Sequence, residues 1–314
     1  RQSGMLLLVI VLLAASFTST NAQTATAPDS GPPSPPAVNA SNIVVLSDFN
    51  EVLYEQNAHE RIPMASLTKL MTAIVVVEYA DLNSTITIRE DDLVGEATMG
   101  LLAGDDVTVG DLLYGLLLPS GNDAAMALAR GVGAQLSGTS GEKARQVFYQ
   151  YMNQMADYFQ LRNTHFKNSH GLDEDGHYSS AYDVAILLRA ALNYPEIRER
   201  MTTRAIRVGD RFDLYNGNQL LTDRSDYIGG KTGLTDGAGF CLAGAARQDG
   251  RMVIAVAMQD DWSWFWDVNL LLDYGFDLID YNGVPDWAPE SLIGTQLEQP
   301  RNGSNIIHAA ASAD

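Results

Sequence analysis

Residues 67–80 are apolar almost all round, and the run starts one residue after a serine. A helix without a polar stripe must be covered on every side, so this run calls for a central helix with further layers built around it. Ser66 would lie in the first turn of that helix. Lys69, three residues on, is one turn away on the same face, so the two side chains can touch. A serine hydroxyl is a poor nucleophile at neutral pH and needs a base within reach. Leu70, Met71, Ile74 and Val75 surround Lys69, which argues against a surface lysine. An ammonium there is desolvated and its pKa is pushed down, toward use as a base.

Two further motifs follow in order: Ser120-Gly121-Asn122 and Lys231-Thr232-Gly233. S-x-x-K and K-T-G each occur by chance in many chains, but the ordered set specifies acyl transfer on a serine. The chain has only four lysines, Lys69, Lys143, Lys167 and Lys231, and two of them fall inside these motifs.

With these residues the chain resembles the serine D-alanyl-D-alanine carboxypeptidases, the low-molecular-mass penicillin-binding proteins that share a fold with class A β-lactamases. The resemblance runs over about residues 42–281. It rests on Pro63-Met64-Ala65-Ser66-Leu67-Thr68-Lys69, Leu118-Pro119-Ser120-Gly121-Asn122-Asp123 and Gly229-Gly230-Lys231-Thr232-Gly233-Leu234-Thr235. A fourth block, Asn168-Ser169-His170-Gly171-Leu172 followed by His177-Tyr178-Ser179-Ser180, belongs to the same pattern. The resemblance implies an α+β sandwich, with an antiparallel sheet flanked by helices and a helical subdomain inserted after the nucleophile helix. It also implies that the second, all-β domain of many members is missing, since only 33 residues (282–314) remain. That stretch lacks a basic amphipathic pattern, so no stable membrane anchor is expected from it.

The formal charge of −19 and a pI near 4.5 argue against a nucleic-acid partner. The plain reading of the acidity is a solubilising surface. Arg1, a mostly apolar stretch over 5–17 and the small residue Ala22 read as a secretory signal over 1–22, and a stretch of 13 residues is too short to span a bilayer. Residues 23–40 carry five prolines and read as a semi-rigid linker before a catalytic domain over 41–281, followed by an irregular tail over 282–314. The expected location is the periplasm or the outer face of the cytoplasmic membrane. Cys241, the single cysteine, reads as a small core residue.

The pattern along the chain predicts a hairpin from 43–47 and 52–55, then the buried helix. An approach over 109–118 with an apolar face from Leu113, Leu116 and Leu117 leads into Ser120, and helical stretches follow over 123–130, 142–161 and 180–192, the last ended by Pro195. Three antiparallel strands are expected over 227–234, 240–247 and 251–258, with turns at Asp236-Gly237 and Asp249-Gly250 and a closing helix over 268–281.

The resulting expectation is that Ser66 attacks the carbonyl of a D-alanyl-D-alanine stem peptide, with Lys69 as base and Ser120 relaying a proton to the departing amine. Asn122 would hydrogen-bond the substrate amide. Lys231, Thr232, Gly233, Leu234 and Thr235 would form the other wall, with Lys231 supplying positive charge and the two threonines holding the substrate carboxylate. The resemblance further implies an oxyanion hole from the backbone N–H groups of Ser66 and Leu234, and covalent inhibition by β-lactams. No cofactor and no metal is expected. A metal site built from His170, Asp173, Asp175 and His177 is conceivable on ligand types, but the cluster lacks a helical i, i+4 histidine pair. A Ser-His-Asp hydrolase is disfavoured because no G-x-S-x-G surrounds Ser66. A β-lactamase is disfavoured because the nearest match to E-x-x-L-N, Arg189-Ala190-Ala191-Leu192-Asn193, has arginine in place of the carboxylate. A D,D-endopeptidase would use the same residues, and a catalytically silent peptidoglycan-binding protein would not need the intact Ser66 and Lys69. One departure from the family concerns the stretch 259–267, which has three tryptophans and no basic residue where many relatives place a carboxylate-binding arginine.

Overall fold

The computed structural model describes residues 31–283. The hairpin opens the fold as β1 (Asn42–Ser47) and β2 (Val52–Gln56), and the buried helix follows as α1 (Lys69–Tyr79). Next come a short pair, β3 (Thr85–Thr87) and β4 (Asp106–Thr108), and the helices α2 (Val109–Leu117), α3 (Asn122–Ser137) and α4 (Glu142–Tyr158). Then follow α5 (Ala181–Leu192), α6 (Pro195–Thr202), the pair β5 (Ala205–Val208) and β6 (Phe212–Tyr215), and the single turn α7 (Leu220–Asp223). The chain returns through β7 (Tyr227–Thr235), β8 (Gly239–Gln248) and β9 (Arg251–Asp260), and α8 (Trp264–Asn282) closes it.

The main sheet has five antiparallel strands in the order β2-β1-β9-β8-β7, so β7 is an edge. Alternation along β1 sends Val44 and Leu46 to one face and Ile43 and Val45 to the other, and all four are fully buried because both faces are covered. On one face α8 packs through Val268, Leu271, Leu272 and Phe276. On the other lies the larger core around α1, which touches α2, α3, α4, α5 and α6, so every residue from Lys69 to Val76 is buried. This is the covered helix that its unbroken apolarity called for, and the α+β architecture with inserted helices is the one expected.

Three boundaries differ from the sequence pattern. α3 continues to Ser137, α8 begins four residues early at Trp264, and Pro195 starts α6 at its first turn as well as ending α5. The linker expected to end at residue 40 is already tied down before it: Ala40 is buried, and the backbone N–H of Asn39 donates to Asp267 Oδ2 at 2.6 Å. The expected leader over 1–22 and the tail from 284 lie outside the described residues.

Candidate active site

Ser66 sits in a 3-10 turn, Ala65–Thr68, that runs into α1, so it precedes the α-helix proper. Ala65 opens this turn at φ +48°, a left-handed conformation costing about 1–3 kcal/mol for a residue with a Cβ. The surroundings hold it in place. Thr68 Oγ1 donates to the Ala65 carbonyl at 2.8 Å and accepts from His177 Nε2 at 2.8 Å, while His177 Nδ1 accepts from the Lys167 N–H. Burial, helped by the nearby His165, lowers the His177 pKa to about 4, so the ring is neutral at neutral pH, as this pattern of one donor and one acceptor requires.

Lys69 Nζ is buried and donates to Ser66 Oγ, Asn122 Oδ1 and the His170 carbonyl, each at 2.7 Å. All three partners are neutral. Burial, then the charge on Lys231, pushes the Lys69 pKa well below that of an ordinary lysine, against a smaller pull from Asp123 and Glu96. The amine is thus both in contact with the serine hydroxyl and able to take its proton.

The second motif forms the adjoining wall. Ser120 is held at φ +62°, and its Oγ accepts from Lys231 Nζ at 2.9 Å. Lys231 also donates to the Thr232 carbonyl at 2.8 Å, and burial lowers its pKa to about 7. Gly233 lets β7 approach the nucleophile: a Cβ there would lie 2.9 Å from Ser66 N and 3.0 Å from Ala65 Cβ. Ser66, Ser120, Asn122, Thr232, Gly233, Leu234 and Thr235 line one cavity of about 680 Å³. Lys69 and Lys231 stand behind it.

Two of the expected site residues are already engaged within the protein. Asn122 is only 2 % exposed; its amide oxygen accepts from Lys69 and its nitrogen donates to the Gly95 carbonyl at 2.9 Å, so it holds the Lys69 amine in place while still lining the cavity. The Thr235 hydroxyl donates its one proton to Asp173 Oδ1 at 2.7 Å. The weighed metal ligands are likewise engaged separately. His170 Nδ1 accepts from the Leu172 N–H, and Asp173 also accepts from the Gly237 N–H. No group of three potential ligands converges among the described residues.

The third wall of the cavity carries no sequence motif. Asp123, next to Asn122, accepts N–H bonds from Met99, Gly100 and Leu101 at 2.9–3.1 Å, and the Asn122 N–H donates to the Ala97 carbonyl at 2.8 Å. These bonds hang the loop over the cavity, so that Glu96 and Ala97 line it. Leu172, Asp173 and Asp236 complete the rim together with Trp264, one of the three tryptophans of 259–267. Arg189, which holds the glutamate position of the nearest E-x-x-L-N sequence match, lies on α5 and donates to Asn50 in the β1–β2 turn.

A family model described as D-alanyl-D-alanine carboxypeptidase, peptidase S11, matches residues 29–261. The chain belongs to this family. Among curated members, it is 36 % identical over 244 residues to the D-alanyl-D-alanine carboxypeptidase DacD of Escherichia coli K12, covering 73 % of this chain and 60 % of that one. It is 34 % identical over 226 residues to DacF of Bacillus subtilis 168, covering 69 % of this chain and 56 % of that one. The match thus spans well under two thirds of either relative. Among solved structures, the Streptomyces K15 DD-transpeptidase superimposes with a TM-score of 0.73 at 31 % identity, covering 77 % of this chain and 99 % of that one. About three quarters of this S11 chain therefore shares the architecture of nearly the whole of that enzyme, which agrees with the fold and family that its motifs implied.

Proposed function

We propose that this S11 chain is a serine D-alanyl-D-alanine carboxypeptidase that removes the terminal residue of peptidoglycan stem peptides through an acyl-enzyme on Ser66. The observation that carries this reading is the 2.7 Å contact between Ser66 Oγ and a buried Lys69 amine whose partners are all neutral. Neutral Lys69 takes the hydroxyl proton as Oγ attacks the D-alanyl carbonyl. The C–N bond then breaks, and the proton reaches the departing amine through Ser120, whose hydroxyl Lys231 orients. Water hydrolyses the ester and returns Ser66.

Oxyanion stabilisation by the backbone N–H groups of Ser66 and Leu234 follows the family pattern, each donor worth roughly 3–4 kcal/mol. The close approach of β7 to the Ser66 backbone at Gly233 supports that assignment. Protonated Lys231 and the Thr232 hydroxyl receive the substrate carboxylate, and Thr235 joins them once it exchanges Asp173 for the substrate. β-Lactams mimic the peptide and acylate the same serine.

We place the catalytic unit at 41–281, behind an export signal over 1–22 and a Pro-rich linker, with residues 282–314 as a tail. The site of action is then outside the cytoplasmic membrane. Among the described residues no helix is long and apolar enough to cross a membrane. Incubating the protein with uncross-linked pentapeptide muropeptides and, separately, with cross-linked dimers, and weighing the products, tests the reading. Loss of one alanine is expected, whereas cleavage confined to cross-linked dimers would make the chain an endopeptidase, and unchanged substrates would refute a peptidase altogether.

A further inference from the structure

An apolar strip leaves the cavity along its β7 edge. Leu234 on β7 stands directly opposite Phe240 on β8, and such cross-strand partners project side by side from the same face. The Phe240 ring lies 4.8 Å from Trp262 and 5.1 Å from Trp264, centroid to centroid, and Trp264 packs on Phe265 at 4.5 Å. Leu234 and Trp264 both line the catalytic cavity, so the strip is continuous with it. At its outer end Trp262 is 86 % exposed and Leu234 at its inner end 52 % exposed. An indole propped on a phenylalanine ring and left open to water buries little for the fold, and contiguous exposed apolar surface of this kind marks a binding surface.

The surroundings select the occupant. Asp236 lines the adjoining cavity and the exposed Asp261 directly precedes Trp262, while residues 259–267 hold no lysine or arginine. On a chain of net charge −19 this face repels nucleic acid and anionic lipid alike. What suits flat aromatic faces rimmed by carboxylates is a neutral ligand with flat C–H faces and hydroxyl or amide donors at its edges, which describes N-acetylated pyranose rings. We propose that Trp262, backed by Phe240, is a subsite for the sugar strand to which stem peptides are attached. This rests on the peptidase reading above, because a peptide laid along β7 from Ser66 is what brings the sugar to the strip. β7 is the sheet edge, and each residue of an extended peptide beside it advances about 3.3 Å. Binding energy gathered at the sugar then serves to hold the scissile bond at Ser66.

The molecule contains its own control. Trp266 is 65 % exposed, yet it follows Trp264 by two positions, about 200° round the helix, and so points away from the strip. The test is calorimetric titration of the full chain carrying Ser66→Ala with a chitin tetrasaccharide and with peptide-stripped glycan strands. Saturable binding is expected, weakened about tenfold or more by Trp262→Ala and within about twofold of unchanged in Trp266→Ala. In the Ser66-intact protein, Trp262→Ala should leave penicillin acylation as it was and lower kcat/KM for disaccharide-pentapeptide but not for bare pentapeptide. Absent glycan binding, binding indifferent to Trp262→Ala, or a Trp262-dependent self-association or pelleting with phosphatidylcholine vesicles would each overturn the proposal. A failure of the peptidase reading would show separately, as absence of the penicillin adduct with glycan binding intact.

Discussion

Two of the places where the fold buries charge treat it in opposite ways. Between α3, α4 and the turn after β3, Asp92 is fully buried and Arg130 grips it with Nε and Nη2 at 2.7–3.0 Å, while Arg145 Nη2 reaches its other oxygen at 2.9 Å. Burial alone would raise the Asp92 pKa, but the Arg130 bonds, together with those from the Arg89 backbone and Arg145, outweigh it and hold the carboxyl below its ordinary value. Arg145 is likewise raised. In the cavity, by contrast, the two ammonium groups of Lys69 and Lys231 meet only hydroxyls, an amide oxygen and carbonyls, and both pKa values fall. A buried charge with a matched counter-charge is locked and structural, whereas one with neutral partners is poised to lose its proton. The reactive lysines are distinguished by what they are not paired with.

The largest effect that would break this contrast is on the base. Lys69→Arg keeps a cation but cannot surrender a proton, so acylation of Ser66 should fall by about a thousandfold or more, with folding checked by circular dichroism. Acylation retained at neutral pH would mean that another group activates the serine. The reverse experiment is Arg130→Ala, which leaves Asp92 buried with half its partners. It should cost about 3–5 kcal/mol in urea unfolding and leave the acylation rate constant of the folded protein within about twofold. Because the folded pKa of Asp92 is depressed, the stability it contributes is present above its unfolded pKa and is lost as pH falls through the folded value. The wild type should accordingly resist acid better than Arg130→Ala.

Much of the cavity was legible because its chemistry is carried by short contiguous motifs. Ser66 and Lys69 are one helical turn apart, and Lys231 to Thr235 lie on one strand. What escaped notice was set by contacts distant in sequence. Nothing near Glu96 announces that Asp123 will collect the N–H groups of Met99 to Leu101 and hang that loop over the serine. The engagement of Thr235 by Asp173 joins two segments 62 residues apart. The early end expected for α3 has a local cause: Gly131 and Gly133 read as helix breakers. In the fold Gly133 is a packing residue, since a Cβ there would come within 2.0 Å of the Ala144 carbonyl of α4. The nucleophile turn was anticipated as helix and is 3-10 because Ala65 enters it left-handed, which no side-chain pattern encodes.

A smaller effect sharpens the lysine pair. Lys231 in the free enzyme has its pKa lowered to about 7 by burial, so its charge is present below that pH and lost above it. If that charge receives the substrate carboxylate, kcat/KM for D-Ala-D-Ala peptides should decline above pH about 7, approaching tenfold per unit, with the loss in KM more than in kcat. A flat profile up to pH 9 would assign the carboxylate to another partner.

The most direct test of the central claim is the mass of the intact protein after brief exposure to penicillin, followed by peptide mapping. The account predicts one covalent adduct, located on Ser66 and persisting for minutes or longer, since Arg189 of the nearest E-x-x-L-N match faces Asn50 and supplies no deacylating carboxylate. An unmodified protein, or an adduct that clears within seconds while penicillin is consumed, would contradict it.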